Sequence, residues 1–301
     1  MKLSGVLFFP VTPFDARGEV DPAVLRDHVT VGLEHRPGGV FAACGTGELP
    51  SLSESEQALV VRTAVAATAG EVPVVAGAGG PLGSALAHAR AAAEAGADGL
   101  LLLPPVATGT AEGLRDYVAA VAGVGLPVIL YQRPPLALEP AAVVELARIP
   151  GVAGFKDGLG DIDRAQRIVL AVRAALGPDR ITFFNGLPTA ELTQPAYQAI
   201  GVDLYSSAVF CFAPEIATAY LRSLSEDGEV AQTLLRDFYA PLVELRAKAP
   251  GYAVSLVKAG LRLRGVATGP VRAPLTDPSA AHTEELSRIL EAGLAVVRAA
   301  S

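Results

Sequence analysis

The stretch Gly154-Phe155-Lys156-Asp157-Gly158-Leu159-Gly160-Asp161 places one lysine at the end of an apolar run that opens at Val152. Side chains of a strand alternate faces, which puts Val152, Gly154 and Lys156 on one side and Ala153 and Phe155 on the other. A glycine on the lysine's own face would leave room beside the ammonium. A second apolar run ends in Tyr131-Gln132-Arg133, and the same alternation puts Ile129 and Tyr131 on one face. An amine and a phenol on neighbouring strands suit covalent catalysis through a Schiff base. Burial of an amine favours its neutral form, which attacks a ketone, and the protonated imine then acts as an electron sink. The phenol can carry protons while the carbinolamine forms and loses water. Each residue alone also has a plainer role, a lysine snorkelling from a strand end or a strand tyrosine with a satisfied hydroxyl. It is their pairing that points to chemistry.

Such a pair needs elements that hold it. Eight short apolar runs recur, at 5–11, 39–44, 72–76, 99–103, 127–131, 152–156, 181–185 and 204–209. Between them lie segments of helical length, amphipathic or alanine-rich, among them 54–69, 84–95, 111–122 and 162–175. Buried strands joined by helical crossovers make a parallel sheet, and eight such units close into a TIM (β/α)8 barrel. A doubly wound open sheet is the alternative. It would bring a phosphate loop or a Gly-x-Gly-x-x-Gly turn after the first strand, where Pro10-Val11-Thr12-Pro13-Phe14 stands instead. After the eighth run the chain reads as helices at 213–224, 229–249, 252–264 and 279–299. The first of these completes the barrel. The expected organisation is a barrel over 1–225 with a C-terminal helical bundle packed on it over 226–301, in one continuous globule without a low-complexity linker.

In this architecture chemistry gathers at the carboxyl ends of the strands. There stand Thr12, Gly45-Thr46-Gly47-Glu48, Gly77-Ala78-Gly79-Gly80, Pro104-Pro105, Tyr131-Gln132-Arg133, Lys156-Asp157, Asn185-Gly186 and Ser206-Ser207. No trio of carboxylates falls at successive ends, as a divalent-metal site needs, and no histidine is present there for a Ser-His-Asp set. His28, His35, His88 and His282 have no ligand spacing. Cys44 and Cys211 are too isolated for a disulfide framework or a metal site, so reduced thiols are expected. With 51% hydrophobic residues the chain can bury a large core, and a net charge of -7 leaves no basic patch for nucleic acid. Its apolar runs are far shorter than a membrane span, and Pro10 without a small-residue cleavage site argues against a signal peptide. The chain therefore reads as cytoplasmic, with no nucleic-acid or membrane partner.

The order Gly-x-Gly-Glu after strand 2, tyrosine ending strand 5 and lysine ending strand 6 resembles the dihydrodipicolinate synthase / N-acetylneuraminate lyase superfamily. Within it the likeness is to the 5-dehydro-4-deoxyglucarate dehydratase branch. It is carried by Phe8-Phe9-Pro10-Val11-Thr12, by 128–133, by 154–161, by the run from Phe183 to Glu191, by Tyr205-Ser206-Ser207-Ala208-Val209-Phe210, and by 251–262 with Gly269-Pro270-Val271-Arg272. The resemblance implies that Lys156 is the Schiff-base lysine and Tyr131 its proton-relay partner. It implies that Thr46 helps bind the carboxylate next to the ketone, with Gly45 and Gly47 letting backbone N–H groups approach the anion. Ser206 and Ser207 would reach the distal part of the substrate, and Arg133 and Asn185 are further candidate contacts. A plainer reading of the Gly-Thr-Gly-Glu segment is a tight turn before a helix that opens at Ser53, with Ser53 to Glu56 as a capping box; both can hold. The implied reaction is decarboxylating dehydration of a small 2-oxo sugar acid, without metal or organic cofactor, in a homotetramer built from dimers.

Three positions depart from the superfamily pattern. Gly45 precedes Thr46 where several members carry two hydroxyl residues, as expected of the dehydratase branch. Val106 follows Pro104-Pro105 where a tyrosine often crosses a subunit interface, so each subunit is expected to hold its own acid-base groups. Pro134-Pro135-Leu136 replace polar residues after Arg133. These changes bear on recognition of the distal end of the substrate and leave the imine chemistry intact. Apolar Ala253, Val254, Leu256, Val257 and Leu261 in the 252–264 segment read as exposed surface and add to the expectation of an oligomer. Two other readings stand beside this one. The same lysine could serve an aldolase or synthase acting on pyruvate or another 2-oxo acid, and a non-catalytic binding barrel would be expected to have lost Lys156 or Tyr131.

Overall fold

The computed structural model describes residues 1–105, 109–226 and 228–300; Val106 lies outside them. Eight parallel strands close into one barrel in chain order. They are β1 (Leu7–Phe8), β2 (Gly39–Ala42), β3 (Val74–Ala78), β4 (Gly99–Leu102), β5 (Val128–Gln132), β6 (Val152–Asp157), β7 (Thr182–Asn185) and β8 (Leu204–Ser207). Closure comes from β1 pairing with β8, Leu7 opposite Ser206 and Phe8 opposite Ser207. The crossovers are α1 (Pro22–Glu34), α2 (Glu54–Thr68), α3 (Leu82–Ala95), α4 (Ala111–Ala122), α5 (Pro140–Ala147), α6 (Ile162–Leu176), α7 (Gln194–Ala199) and α8 (Pro214–Ser225). All eight expected strands form. The first is cut to two residues, because Pro10 has no N–H to extend the ladder. The third begins only after Pro73, two residues later than its apolar run suggests.

The sequence reading did not single out α1, α5 and α7, each of which carries a proline in its first turn. Helix α2 opens with the expected capping box: Glu56 N–H donates to Ser53 Oγ and Ser53 N–H to the Glu56 carboxylate. Beyond the barrel run α9 (Glu229–Leu234), a π turn over Leu235–Tyr239, α10 (Ala240–Ala247), α11 (Tyr252–Leu263) and α12 (Ala280–Ala299). The expected single helix over 229–249 is thus interrupted. Pro241 sits just after the π turn and cannot donate to the carbonyl one turn back, and a widened turn accommodates that loss.

Both faces of the sheet are buried, which is why the strands read as continuous apolar runs. Leu7, Phe41, Val75, Leu101, Ile129 and Phe184 fill the barrel interior. The outer faces pack under the helices in a second cluster that extends without a break to Leu286, Ile289 and Leu290 of α12. Two expectations need correction. Val128 pairs with Val152, but Ile129 pairs with Gly154, so Ala153 is an extra residue in β6. The bulge turns Val152 outward with Val128, and it does not share the face of Lys156. On α11, Leu256, Val257 and Leu261 are buried within the chain itself, so their apolar character is spent on the fold and gives no argument for an interface. Among the described residues no helix is long and apolar enough to cross a membrane.

Candidate active site

Tyr131 and Lys156 sit on the same rung of adjacent strands β5 and β6, and both side chains are buried at the carboxyl end of the barrel. Lys156 Nζ lies 3.8 Å from the centroid of the Tyr131 ring and 5.1 Å from that of Phe9. Both polar heads meet one acceptor: Tyr131 OH donates to Gly186 O at 2.8 Å and Lys156 Nζ to the same oxygen at 3.4 Å. Glycine is required around this pair, though at positions other than the expected one. A Cβ on Gly186 would fall 2.6 Å from Lys156 Cγ, and one on Gly158 would fall 2.8 Å from Tyr131 Cε2. At Gly154 the missing Cβ instead admits Phe184 Cε2 and Ile129 Cγ1, which would lie 2.9 and 3.0 Å from it.

Alternation along the strand ends divides their polar residues into two rings. Tyr131, Lys156 and Ser206 face a cavity of 340 Å³, which is also lined by Gly45, Thr46 and Arg133. Gln132, Asp157, Asn185 and Ser207, one residue further on, face outward and anchor loops. Gln132 Nε2 donates to Asp157 Oδ1 at 2.8 Å, and Gln132 Oε1 accepts from Leu138 N–H at 2.7 Å. Asp157 also accepts from Leu159 N–H and from the Tyr197 hydroxyl. Asn185 Nδ2 donates to Ala190 O, Thr193 Oγ1 and Gln194 Oε1, while its Oδ1 accepts from Leu187 N–H. Ser207 Oγ donates to Glu191 Oε1 at 2.5 Å. Burial raises the Glu191 carboxyl to about 7, with the Ser207 hydrogen bond opposing. Asn185, Ser207 and Gly47 therefore lie behind the cavity, the last with its carbonyl accepting from Thr12 Oγ1 at 2.7 Å.

The turn after β2 is held from the far end of the chain. Glu48 adopts a left-handed backbone, φ 57°. Its carboxylate lies 2.6 Å from Lys258 Nζ of α11, both side chains fully buried, and accepts from Arg272 N–H at 2.9 Å. Burial lowers the Lys258 ammonium pKa, with Glu48 opposing that shift. The same helix brings Ala253 and Val254 to the cavity wall, joined by Leu187 and Pro188 from the loop after β7. Sequence reasoning missed these contributors. The 251–262 stretch was among those carrying the family resemblance, and its apolar Ala253 and Val254 were read as exposed surface where they line the cavity. Cys44 is buried, with its thiol pushed up to about 12 by desolvation against the opposing charge of Lys156. Among the described residues no group of three or more His, Cys, Asp or Glu side chains could hold a metal ion.

A model of the dihydrodipicolinate synthetase family matches residues 2–293. The chain belongs to this family. Among relatives of this synthetase-family chain, a Streptomyces griseus protein named "Probable 5-dehydro-4-deoxyglucarate dehydratase" is 54% identical over 298 residues, covering 98% of this chain and 93% of the relative. A protein of the same name from Azotobacter vinelandii is 43% identical over 291 residues, covering 95% and 94% of the two chains. The crystal structure of dihydrodipicolinate synthase from Oceanobacillus iheyensis superposes with a TM-score of 0.87 at 26% identity, over 96% of each chain.

Proposed function

We propose that this family member is a 5-dehydro-4-deoxyglucarate dehydratase, a class I Schiff-base lyase that converts its substrate to 2,5-dioxopentanoate, carbon dioxide and water. The observation that carries the mechanism is the buried Lys156 amine against Tyr131, with both polar heads on the Gly186 carbonyl. The names of relatives around half identical over nearly the whole chain support the substrate. Lys156 Nζ attacks the ketone carbon, and Tyr131 passes protons as water leaves to give the iminium. The methylene carbon beside it then loses a proton to form an enamine, which expels the β-hydroxyl as water. In the conjugated iminium that results, the electrons of the bond to the far carboxylate flow toward nitrogen as carbon dioxide departs. Protonation on carbon and hydrolysis of the imine release the product and the amine, consuming the one water that imine formation set free. Thr46, in the turn fixed by Glu48, binds the carboxylate next to the ketone, and Ser206 faces the distal part of the substrate.

In the same proposal the enzyme is cytoplasmic, needs no cofactor and is a homotetramer of the kind the family resemblance implies. Residues 1–225 form the catalytic barrel and 226–301 a helical extension whose α11 closes one wall of the cavity. Incubation with substrate or pyruvate and borohydride should add the mass of the reduced adduct to the peptide containing Lys156. An adduct confined to Lys248 or Lys258 would remove the assignment.

A further inference from the structure

The charges around the cavity assign Arg133 a more specific task than a polar contact. Of the described residues lining it, Lys156 and Arg133 are cationic and none is acidic, in a chain of net charge -7. Arg164, Arg262, Arg264 and Arg272 each hold a carboxylate, whereas Arg133 has none among the described residues. Its guanidinium carbon lies 5.8 Å from the centroid of the same Tyr131 ring that Lys156 Nζ approaches to 3.8 Å. A Cβ on Gly45 would sit 3.8 Å from Arg133 Nη1, so the guanidinium stands at the rim between the end of β5 and the turn after β2. Once Lys156 carries the substrate as an iminium, its charge faces the carboxylate beside the ketone. A second carboxylate would otherwise meet walls made by Phe9, Leu101, Leu187 and Val254, where an unpaired anion is costly.

We propose that Arg133 pairs with the carboxylate remote from the ketone and makes the site selective for dianionic over monoanionic 2-oxo acids; the assignment rests on the imine reading above. A guanidinium offers a planar fork of donors matched to one carboxylate. The pair is lost when that carboxylate departs as carbon dioxide, so Arg133 serves capture of the substrate and not the bond-breaking step.

Arg133→Gln should raise KM for 5-dehydro-4-deoxyglucarate about thirtyfold and leave kcat within about threefold, and Arg133→Lys should restore part of the loss. Borohydride trapping of 2-oxoadipate and 2-oxohexanoate, which match in length and differ by one terminal carboxylate, reads charge apart from turnover. The unaltered enzyme should trap the dianion about tenfold or more efficiently. Arg133→Gln should lose that preference while trapping 2-oxohexanoate as before. An equal fall for both acids would move Arg133 to the carboxylate beside the ketone, and an unchanged preference would leave it a solvated rim residue; either overturns the proposal. No adduct at Lys156 with 5-dehydro-4-deoxyglucarate or pyruvate in the unaltered enzyme would instead overturn the imine reading.

Discussion

One oxygen atom, the Gly186 carbonyl, holds the reactive pair together, accepting from Tyr131 OH at 2.8 Å and from Lys156 Nζ at 3.4 Å. Tyr131→Phe keeps the ring that lies against the ammonium and removes only the hydroxyl. It should lower kcat about a hundredfold or more, as loss of an acid-base group does. Stability should change by only about 1 kcal/mol, the net worth of one hydrogen bond. Steady-state kinetics and urea unfolding check the two halves, and unchanged turnover would take Tyr131 out of the mechanism. At this scale the period-two alternation was legible for Lys156 and Tyr131, which have a counterpart on the next strand to confirm the face. Carried one residue further, it would also have separated Ser206 from Ser207 and turned Asn185 outward. What it could not supply was the bulge at Ala153, which reverses Val152, nor the identity of the glycines that make room for the amine. Those depend on what crosses from the neighbouring strand.

At the scale of elements, the turn after β2 keeps a non-glycine residue in the left-handed region at Glu48, a conformation that costs about 1–2 kcal/mol and is secured by the buried pair with Lys258. Removing one partner leaves the other charge buried and uncompensated. Glu48→Gln or Lys258→Met alone should therefore destabilise the protein by about 3–5 kcal/mol, whereas the double variant should lose much less than the two combined. Urea denaturation of the three variants measures this, and single variants as stable as the parent would show that the pair does not hold the turn. The capping box at Ser53 was readable because its partners lie three residues apart. Glu48 and Lys258 are joined across most of the chain, and no local pattern connects them. The π turn before Pro241 is a different case: the proline is a local signal of a break in the 229–249 helix, while apolar periodicity runs through it and does not show how the turn widens.

For the molecule as a whole, eight repeating strand-and-helix units made the barrel legible, because each unit is local and their number fixes closure. The apolar face of α11 was read as surface because sequence alone does not say what covers a helix; in the fold, Leu256, Val257 and Leu261 are covered by the chain itself. Assembly therefore rests on the family resemblance, and light scattering at micromolar concentration should give the mass of a tetramer, with a monomer mass contradicting it. The central claim concerns the bonds broken. Incubated with 5-dehydro-4-deoxyglucarate, the protein should yield 2,5-dioxopentanoate and carbon dioxide in equal amounts, identified by mass spectrometry and gas evolution. Cleavage to an aldehyde and a three-carbon 2-oxo acid without carbon dioxide would contradict it and make the same lysine that of an aldolase.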